Sequence, residues 1–519
     1  MMCIFRGMLV KIPAGALYGI HAYPVSVEVN LSPGLGYAIV GLPDNAVKES
    51  RERVETAIRN SGFSFPRGKI IINLSPADLR KEGTAYDLPI AIGILAASGQ
   101  IQRENWDKIL IMGELSLDGT LMPIRGALPI AIAARKQGMQ QLILPPANAG
   151  EAGIVKDIEV YAPSTLREVV AFVEGKLALE RVYIDARALF QKANEEADVD
   201  MSEVKGQMQA KRALEIAAAG GHNILMVGPP GAGKTMLARR LPTILPQLTL
   251  EEALETTRIH SVAGLLREHA GLITKRPFRS PHHTISDIAL VGGGNYPMPG
   301  EISLAHNGVL FLDELPEFKR QVLEVLRQPL EEGRIVIARA RFRVEYPARF
   351  MLVAAMNPCP CGYYTHPTRA CTCAPGAIQR YSARISGPLL DRIDLHISVT
   401  PVETHALSDS SPRESSQAIR ERVQRAREIQ RQRFGGIPNL YTNAQMPPKV
   451  VEEFCRLDEA GRRLLENAMN RLQLSARAHD RILKVARTIA DLDGSEHIRA
   501  EHVAEAISYR TLDRATWGL

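Results

Sequence analysis

Two hydrophobic patterns alternate over the first 180 residues. Short runs rich in β-branched and aliphatic residues predict strands, and these runs lie at 25–31, 37–42, 69–74 and 108–115. Apolar positions three and four apart predict a helix over 45–62, and a continuously apolar segment over 87–99 predicts a buried helix. The mixture indicates an α+β domain over 1–180, and the polar stretch after it predicts a linker over 181–200.

The pattern changes after residue 200. Three apolar runs, at 223–228, 308–312 and 350–355, carry hydrophobic residues on both faces, which is typical of central strands in a parallel sheet. Strand patterns are scarce after residue 401, where helical periodicity takes over. The sequence therefore predicts an α/β fold, with a doubly wound parallel sheet over 201–400 and a helical lid domain over 401–519.

Composition indicates where the protein is expected to work but does not indicate its function. The chain has 519 residues, of which 45% are hydrophobic and 23% are charged, as in ordinary globular proteins. No apolar run approaches the roughly 20 residues that a membrane-spanning helix needs, and the first residues lack the extended apolar core of a secretory signal. We therefore expect a cytoplasmic protein with no membrane partner. The net charge of +6 permits a polyanionic partner without requiring one.

Residues 228–235 read GPPGAGKT and match a phosphate-binding loop. The motif follows an apolar strand and opens a helix, which is the context that such a loop needs. Its glycines allow consecutive backbone N–H groups to curl around phosphates at the helix N-terminus. We expect Lys234 to reach the β- and γ-phosphates of ATP and Thr235 to ligate Mg²⁺. The candidate nucleotide-binding residues are Gly228, Pro229, Pro230, Gly231, Ala232, Gly233, Lys234 and Thr235.

Two further polar sites follow apolar runs. Asp313 and Glu314 end the run at 308–312, where Asp313 would hold Mg²⁺ and Glu314 would act as the base for an attacking water. A carboxylate in such a place is sometimes only a helix N-cap. Asn357 follows the run at 350–355, and from a neighbouring strand its amide would orient the water near the γ-phosphate. An asparagine before proline is otherwise more often a turn residue.

Four of the six cysteines lie close together, as Cys359, Cys361, Cys371 and Cys373. A reducing cytosol disfavours a stable disulfide between them. Two Cys-x-Cys pairs joined by a short loop can instead converge on Zn²⁺ in a tetrahedral structural site, and His366 within the loop could replace one sulfur. Free buried thiols and a redox switch are the alternatives.

The order of these motifs resembles that of AAA+ ATPases. The segment 279–308 looks like the insert of magnesium-chelatase ATPase subunits and minichromosome-maintenance-type helicases, and 331–350 looks like the hairpin before their sensor strand. With the N-terminal region included, essentially the whole chain resembles the magnesium-chelatase-like ComM/YifB family of bacterial proteins.

The roles of two arginines are inferred from this family resemblance alone. Arg392, in SGPLLDRIDL, matches the arginine finger, and Arg477, in LSARAHDRIL, matches the second sensor. An arginine finger acts on the γ-phosphate of a neighbouring subunit, so Arg392 implies a ring, expected to be a hexamer. A surface arginine in a salt bridge is the ordinary alternative for Arg392.

The N-terminal region resembles the Lon-protease catalytic domain in two segments, 72–99 and 113–152. Lon-type proteolysis needs a serine whose proton passes to a nearby lysine. Ala85 stands where the serine would align, and no lysine occurs in the matching stretch 125–130. Thr84 is a lone hydroxyl beside it. The resemblance implies a Lon-like, ribosomal-S5-like fold without peptidase chemistry, serving as a docking or assembly module.

Basic residues recur on three predicted surfaces. Arg339, Arg341 and Arg343 alternate along a strand-like run and so face one side. In related helicases such a hairpin lines the channel, where arginine grips phosphates without reading sequence, and a solvated edge strand is the alternative. The Arg-rich helix over 413–433 is either solvated or DNA-tracking. The helix over 45–62 interleaves basic residues with glutamates, which favours a solvated face.

Three functions fit these features. The first is a hexameric DNA translocase or helicase using ATP, Mg²⁺ and Zn²⁺, which in the ComM-like family means branch migration or integration of transforming DNA. The second is a magnesium-chelatase ATPase subunit, and the third is a protein-remodelling ATPase that holds clients with its Lon-like domain. Chelatase ATPase subunits are generally the motor alone, so the Lon-like domain and the cysteines argue against the second. We expect a homo-oligomeric ring on single-stranded or branched DNA.

Overall fold

The structure is a computed structural model of mixed α/β type. It describes residues 8–193, 199–266, 271–294, 296–339, 342–364, 366, 368–401, 413–438, 440–472 and 474–510. Within these ranges the last strand ends at Ser398, and the regular elements after it are helical. None of the helices in the described ranges is long and apolar enough to cross a membrane.

A four-stranded sheet opens the chain. Its strands, in spatial order, are Met8–Tyr18, His21–Ser32, Lys69–Ser75 and Gly36–Val40. The first three strands pair with one another in antiparallel fashion, and Gly36–Val40 runs parallel to Lys69–Ser75. Buried and exposed positions alternate along the strands, so that one face carries fully buried residues such as Val27 and Ile72. That face packs on the wholly buried helix Asp87–Ala97, where Gly93 comes close enough that a Cβ would lie 2.5 Å from Val29.

A second, parallel sheet and several helices complete this region. The sheet consists of Ile109–Ile111, Gln141–Ile143 and Glu159–Tyr161, and a short hairpin pairs Glu114–Leu115 with Leu121–Met122. The helices are Asn45–Lys48, Ser50–Asn60, Asp87–Ala97, Ala127–Lys136, Pro146–Ala152, Leu166–Val173 and Ala186–Ala193. The predicted single helix over 45–62 is thus two helices that meet at Glu49. The predicted strand over 108–115 is two strands, and the predicted linker contains the last helix.

A five-stranded parallel sheet forms the centre of the chain, as the sequence predicts. Its spatial order is Phe278–Arg279, Val309–Leu312, Met351–Met356, Ile224–Val227 and Leu395–Ser398. Alternate residues enter two separate hydrophobic cores, with Met226 on one face and Leu225 on the other. Both faces are therefore covered, which explains why the central strands are continuously apolar. The two edge strands are short, and the sequence pattern did not predict them.

Helices and two hairpins surround this sheet. The helices before residue 400 are Met208–Gly220, Lys234–Ile244, Leu250–Ala263, Asp287–Val291, Glu301–Leu304, Arg320–Glu324, Arg327–Glu332, Pro375–Ser382 and Gly387–Leu390. The hairpins pair Gly292–Gly293 with Met298–Pro299 and Arg334–Arg339 with Phe342–Pro347. Later helices are Ser416–Arg433, Pro448–Phe454, Glu459–Leu472, Ala476–Leu492 and Ala500–Ser508. These later helices share one hydrophobic core with the central sheet.

The N-terminal region is attached to the central region through its first β-turn. The Tyr18 hydroxyl donates to the backbone oxygen of Arg343 over 3.0 Å and accepts from the Arg343 N–H over 3.2 Å. Ile20 is buried in the same hydrophobic cluster as Val344. Tyr296 donates to the backbone oxygen of Leu17 over 2.9 Å. The Lon-like region therefore contacts the arginine-bearing hairpin directly.

Candidate nucleotide site and cysteine cluster

The loop at 228–233 joins the strand Ile224–Val227 to the helix Lys234–Ile244, as the motif predicts. Gly231 and Gly233 have φ values of +79° and +90°, which glycine adopts most readily. Gly228 lies so close to the next strand's end that a Cβ there would be 2.1 Å from the backbone oxygen of Val399. The glycine positions are therefore required by the path of the loop.

Lys234 lies inside the loop rather than in solvent. Its Nζ donates to the backbone oxygens of Gly228 and Pro229 over 2.6 and 2.9 Å, and to Oδ1 of Asn357 over 3.2 Å. Burial lowers the pKa of Lys234, and the nearby Asp313 and Glu314 carboxylates oppose that shift. The ammonium group is thus placed between the loop and the end of the strand Met351–Met356.

Thr235 and Asp313 form the second contact of the site. The Thr235 hydroxyl donates to Oδ2 of Asp313 over 2.7 Å, and Oδ1 of Asp313 accepts from the N–H of Glu314 over 2.9 Å. The strand that ends at Leu312 and the strand that ends at Met356 are parallel neighbours, so Asp313 and Asn357 lie at the same sheet edge. A hydroxyl and a carboxylate oxygen in contact are suitable ligands for Mg²⁺.

Glu314 adopts an unusual backbone conformation beside this pair. Its φ is +52°, in the left-handed region that a non-glycine residue enters at a cost of about 1 kcal/mol. The side chain is 56% exposed, and its Oε2 lies 3.4 Å from Nδ1 of His283. The His283 ring also packs edge-on against Phe318, with centroids 6.4 Å apart. Sequence reasoning missed His283, which lies in the 279–308 insert and in no motif of its own.

Arg392 lies away from this edge. Arg392 precedes the strand Leu395–Ser398, so it lies at the opposite end of the parallel sheet from the P-loop. Its guanidinium is almost buried, forms an ion pair with Glu331 and donates to the backbone oxygen of Pro388 over 2.6 Å. Arg477 is exposed in the first turn of the helix Ala476–Leu492. The structure therefore places Arg392 away from the P-loop of its own chain.

A buried polar cluster connects the surroundings of these two arginines. Arg481, one helical turn after Arg477, forms an ion pair with Asp394 and donates to the backbone oxygen of Arg392 over 3.4 Å. The Asn223 amide also donates to that oxygen, over 3.0 Å. Burial raises the pKa of the Asp394 carboxyl, but Arg481 and a hydrogen bond from His222 outweigh it and hold that pKa well below its usual range. Sequence reasoning did not single out this cluster.

The four clustered cysteines converge in space. Their Sγ atoms all lie within 4.8 Å of one another. The Sγ distances are 3.3 Å between Cys359 and Cys361, 3.7 Å between Cys359 and Cys371, and 3.5 Å between Cys361 and Cys371. Four sulfurs around Zn²⁺ at about 2.3 Å would be about 3.8 Å apart. The residues present therefore fit a tetrahedral thiolate site.

Backbone N–H groups point at these sulfurs. Tyr364 donates to Cys359 over 3.3 Å and Cys361 to Cys373 over 3.3 Å. The N–H of Tyr363 is the main cause that lowers the pKa of the Cys361 thiol, to about 5. The N–H of Cys373 favours the thiolate of Cys371, but desolvation and the sulfurs of Cys361 and Cys359 raise the pKa of Cys371. A divalent cation would remove the repulsion between thiolates.

His366 does not join the cysteines. Its Nδ1 accepts from the backbone N–H groups of Thr368 and Arg369 over 3.2 and 3.1 Å. Its ring packs edge-on against Tyr363, with centroids 5.6 Å apart. Within the described part of the loop, the group that could hold a metal consists of the four cysteines without His366.

The arginines of the hairpin are described only in part. Arg343 is exposed on the strand Phe342–Pro347, and Arg339 ends the strand Arg334–Arg339. Arg341 lies outside the described residues. The register pairs Ala338 with Arg343 and Arg339 with Phe342, so Arg339 and Arg343 lie near the end of the hairpin but on opposite faces of it. The predicted common face is therefore wrong for these two arginines, because they lie on two paired strands and not on one continuous strand.

Most arginines of the segment 413–433, which contains the helix Ser416–Arg433, are bound within the chain. Arg427 donates to the backbone oxygen of Ala218 over 2.8 Å, and Arg433 forms an ion pair with the buried Asp491. Partners also hold Arg413, Arg422 and Arg431. The N-terminal helix Ser50–Asn60 behaves similarly, because Arg53 pairs with the buried Asp87 over 2.8 Å and Arg59 with Glu55 over 2.8 Å. Because these arginines are held by other residues of the chain, both helices are better explained as packed or solvated structural elements than as elements that follow DNA.

At the positions that correspond to a Lon active site, the side chains make contacts that differ from a Ser–Lys pair. The Thr84 hydroxyl donates to a carboxylate oxygen of Glu114, and Lys81 is fully buried with its Nζ donating to the backbone oxygen of Pro76. Ala85 and Leu128 bring no ionisable group. The Thr84–Glu114 contact lacks the amine partner of the Ser–Lys mechanism. This arrangement is consistent with the predicted loss of peptidase chemistry.

Comparison with known proteins identifies the family. Three family models match the chain: "Subunit ChlI of Mg-chelatase" over residues 27–148, "Magnesium chelatase, subunit ChlI" over 200–407 and "Magnesium chelatase, subunit ChlI C-terminal" over 413–510. Part of the chain is also similar to Lon protease 2 of Bacillus subtilis, which is 32% identical over 126 residues, or 24% of this chain and 22% of that protein. The Lon likeness is thus partial.

Several relatives match nearly the whole chain, among them the following two. Competence protein ComM of Haemophilus influenzae is 48% identical over 506 residues, which are 96% of this chain and 97% of that protein. YifB of Escherichia coli is 48% identical over 508 residues, which are 96% of each chain. With the parallel sheet and P-loop described above, these matches point to an ATPase of the AAA+ class. The chain belongs to the ComM/YifB family of magnesium-chelatase-like AAA+ proteins.

Proposed function

We propose that this chain is an ATP-hydrolysing motor that moves along DNA. The observation that carries the ATPase part is the convergence of Lys234 with Asn357 and of Thr235 with Asp313 at one edge of the parallel sheet. In this proposal the loop 228–235 binds the phosphates, and Thr235 and Asp313 hold Mg²⁺. Glu314 activates the attacking water, and Asn357 orients it. Each role uses a group already positioned at the sheet edge.

The motor works as a ring, with a hexamer as the expected form. Arg392 lies at the sheet end opposite the P-loop, so it cannot act on the nucleotide of its own chain without a large rearrangement. Arg481, one helical turn after Arg477, contacts the backbone oxygen of Arg392. In a head-to-tail ring that sheet end faces the P-loop of the next subunit. Arg392 would then stabilise charge on the neighbour's γ-phosphate, and Arg477 would contact the same nucleotide.

DNA, single-stranded or branched, is the proposed track. Support comes from the competence-protein name of the ComM relative and from the exposed Arg343 beside Arg339 near the end of the hairpin. Arg339, Arg341 and Arg343 would grip phosphates in a ring channel without reading sequence. The biological role would be branch migration during recombination or integration of transforming DNA, in the cytoplasm.

The remaining parts take supporting roles in this proposal. Cys359, Cys361, Cys371 and Cys373 bind a structural Zn²⁺, since four protein ligands leave no open position for catalysis. The domains are a Lon-like domain over 1–180, a linker over 181–200, an ATPase core over 201–400 and a helical lid over 401–519. The Lon-like domain serves docking or assembly.

A protein-remodelling ATPase is the second candidate. The direct contact between the Lon-like region and the hairpin favours it, because a client held by that region would lie beside the moving element. A magnesium-chelatase subunit is the third, on the family models alone.

One experiment separates the three candidates. The ATPase rate of the full chain is measured with forked DNA, with unfolded protein and with a porphyrin, using Glu314→Gln as the matched inactive variant. DNA stimulation accompanied by movement of a labelled branch point supports the DNA motor. Stimulation by unfolded protein alone, or by porphyrin alone, would replace the DNA motor with the second or third candidate.

A further inference from the structure

The cysteine cluster is joined to the nucleotide site through one short stretch of backbone. Asn357, which accepts from Lys234, is followed by Pro358 and then by Cys359, whose side chain is fully buried. Proline fixes its own φ and restricts the residue before it. The position of the Cys359 sulfur therefore limits where the Asn357 amide can lie.

A second contact joins the same two places from the other side. Gly362, next to Cys361, has φ of +83°, and its N–H donates to the backbone oxygen of Cys359 over 3.0 Å. A Cβ on Gly362 would lie 2.6 Å from Cδ of Pro230, in the P-loop, and 3.9 Å from Cγ of Asn357. The turn over 359–362, which contains two metal-ligand candidates, thus packs directly on the phosphate-binding loop through Gly362.

We propose that the metal-bound cysteine loop positions the P-loop, with Gly362 as the residue through which it acts. The ligand is a divalent cation that prefers four thiolates, for which Zn²⁺ is the natural candidate. Its binding holds the backbone at Cys359 and Cys361, and Gly362, directly after Cys361, packs against Pro230 and near Asn357. Gly362 is a positioning residue, because it touches the loop and not the phosphates. This inference rests on the proposed nucleotide hydrolysis but not on the DNA track.

The arrangement explains why glycine occupies position 362. Any side chain there must displace either Pro230 or the turn, because 2.6 Å is far inside van der Waals contact and the atom met belongs to a ring. The positive φ adds strain for every other residue type. Gly376, after the last cysteine, differs on both counts: its φ is not in the left-handed region, and a Cβ there meets nothing within 4 Å.

The first test compares Gly362→Ala with Gly376→Ala in the full chain. Zinc content is measured with a chromophoric chelator after thiol modification, and Kd is measured with a fluorescent ATP analogue. Gly362→Ala should keep the wild-type zinc content and weaken nucleotide binding roughly tenfold or more, because a shift near 1 Å in a binding site has effects of that size. Gly376→Ala should match wild type in both. Wild-type nucleotide affinity in Gly362→Ala would overturn the proposal.

The second test removes the metal from the wild-type chain. A mercurial releases the zinc, a thiol reductant restores the cysteines, and nucleotide Kd is measured before and after adding zinc back. Weakened binding that zinc restores supports the proposal, while unchanged binding in metal-free protein overturns it. Protein purified without bound zinc that still binds nucleotide tightly would overturn it too. In zinc-loaded wild-type protein, normal nucleotide affinity with an ATPase rate that DNA does not stimulate would count against the DNA motor alone.

Discussion

The hydroxyl of Thr235 lies 2.7 Å from Oδ2 of Asp313, which connects the first turn of the P-loop helix to the end of a strand two positions away in the sheet. We expect Thr235→Val to lower kcat for ATP hydrolysis by about 100-fold, because it removes a Mg²⁺ ligand and the hydrogen bond to Oδ2 of Asp313. Thr235→Ser keeps the hydroxyl and should retain most activity. A Mg²⁺ titration of the ATPase rate measures the difference, and similar rates in the two variants would exclude Thr235 from the metal site.

Glu314 should separate nucleotide binding from hydrolysis. Its backbone holds a left-handed conformation at the sheet edge, and its carboxylate is exposed enough to meet a water. We expect Glu314→Gln to bind ATP with wild-type affinity and to hydrolyse it at least about 100-fold more slowly, the usual effect of losing a general base. Glu317→Gln, three residues later and paired with Arg384 at the surface, is the matched control and should hydrolyse ATP normally. Equal hydrolysis rates in the two variants would show that a residue other than Glu314 is the general base.

Mixed rings test whether Arg392 acts between subunits. Lys234→Ala and Arg392→Ala should each be nearly inactive, and a one-to-one mixture should recover about a quarter of the wild-type rate, because a quarter of the interfaces join an intact P-loop to an intact arginine. A mixture of Lys234→Ala with Glu314→Gln is the control. Both of its lesions lie in one subunit's own site, so no interface is restored. Recovery in the control, or none with Arg392→Ala, would contradict the assignment.

The sequence predicts the central sheet and the P-loop edge well because both depend on local patterns. Asp313 and Asn357 follow apolar strands, and parallel strands bring their ends together. The short strand Phe278–Arg279 has only two residues, too few to produce a period. The break at Glu49 between two helices likewise leaves the apolar spacing of 45–62 unchanged.

Contacts between distant segments were beyond sequence reasoning. His283 meets Glu314 across 31 positions, and Arg481 meets Asp394 across 87. Nothing near Arg481 in the chain distinguishes it from the other basic residues of its helix. The Arg-rich helix after residue 413 illustrates the same limit, since its charge count alone could not show that Asp491 and Ala218 engage its arginines.

The buried pair of Arg481 and Asp394 should make stability depend on pH. The folded-state pKa of Asp394 lies below its unfolded value, so the pair stabilises the chain above about pH 4 and loses that effect as pH falls toward the folded pKa. We expect Arg481→Met to lower the free energy of unfolding by about 3 kcal/mol at neutral pH, because it leaves a buried carboxylate unpaired. Arg477→Met, on the exposed face one turn earlier, should cost under about 0.5 kcal/mol. Thermal unfolding at pH 7 and below pH 4 measures both, and a pH-independent difference would contradict the pairing.

Tyr18 should hold the hairpin through its hydroxyl. That oxygen accepts from the Arg343 N–H and donates to the Arg343 backbone oxygen, so Tyr18→Phe removes two hydrogen bonds while keeping the ring. If these hydrogen bonds together stabilise the closed hairpin by about 1 kcal/mol, hydrogen exchange of the Arg343 amide should be about fivefold faster in Tyr18→Phe than in wild type. Tyr23→Phe is the matched control, because that ring packs against Tyr18 with centroids 6.4 Å apart and its loss of a hydroxyl leaves both bonds intact. If exchange at Arg343 is the same in both variants, the Lon-like region does not restrain the hairpin, and coupling between them must use the Ile20 contacts instead.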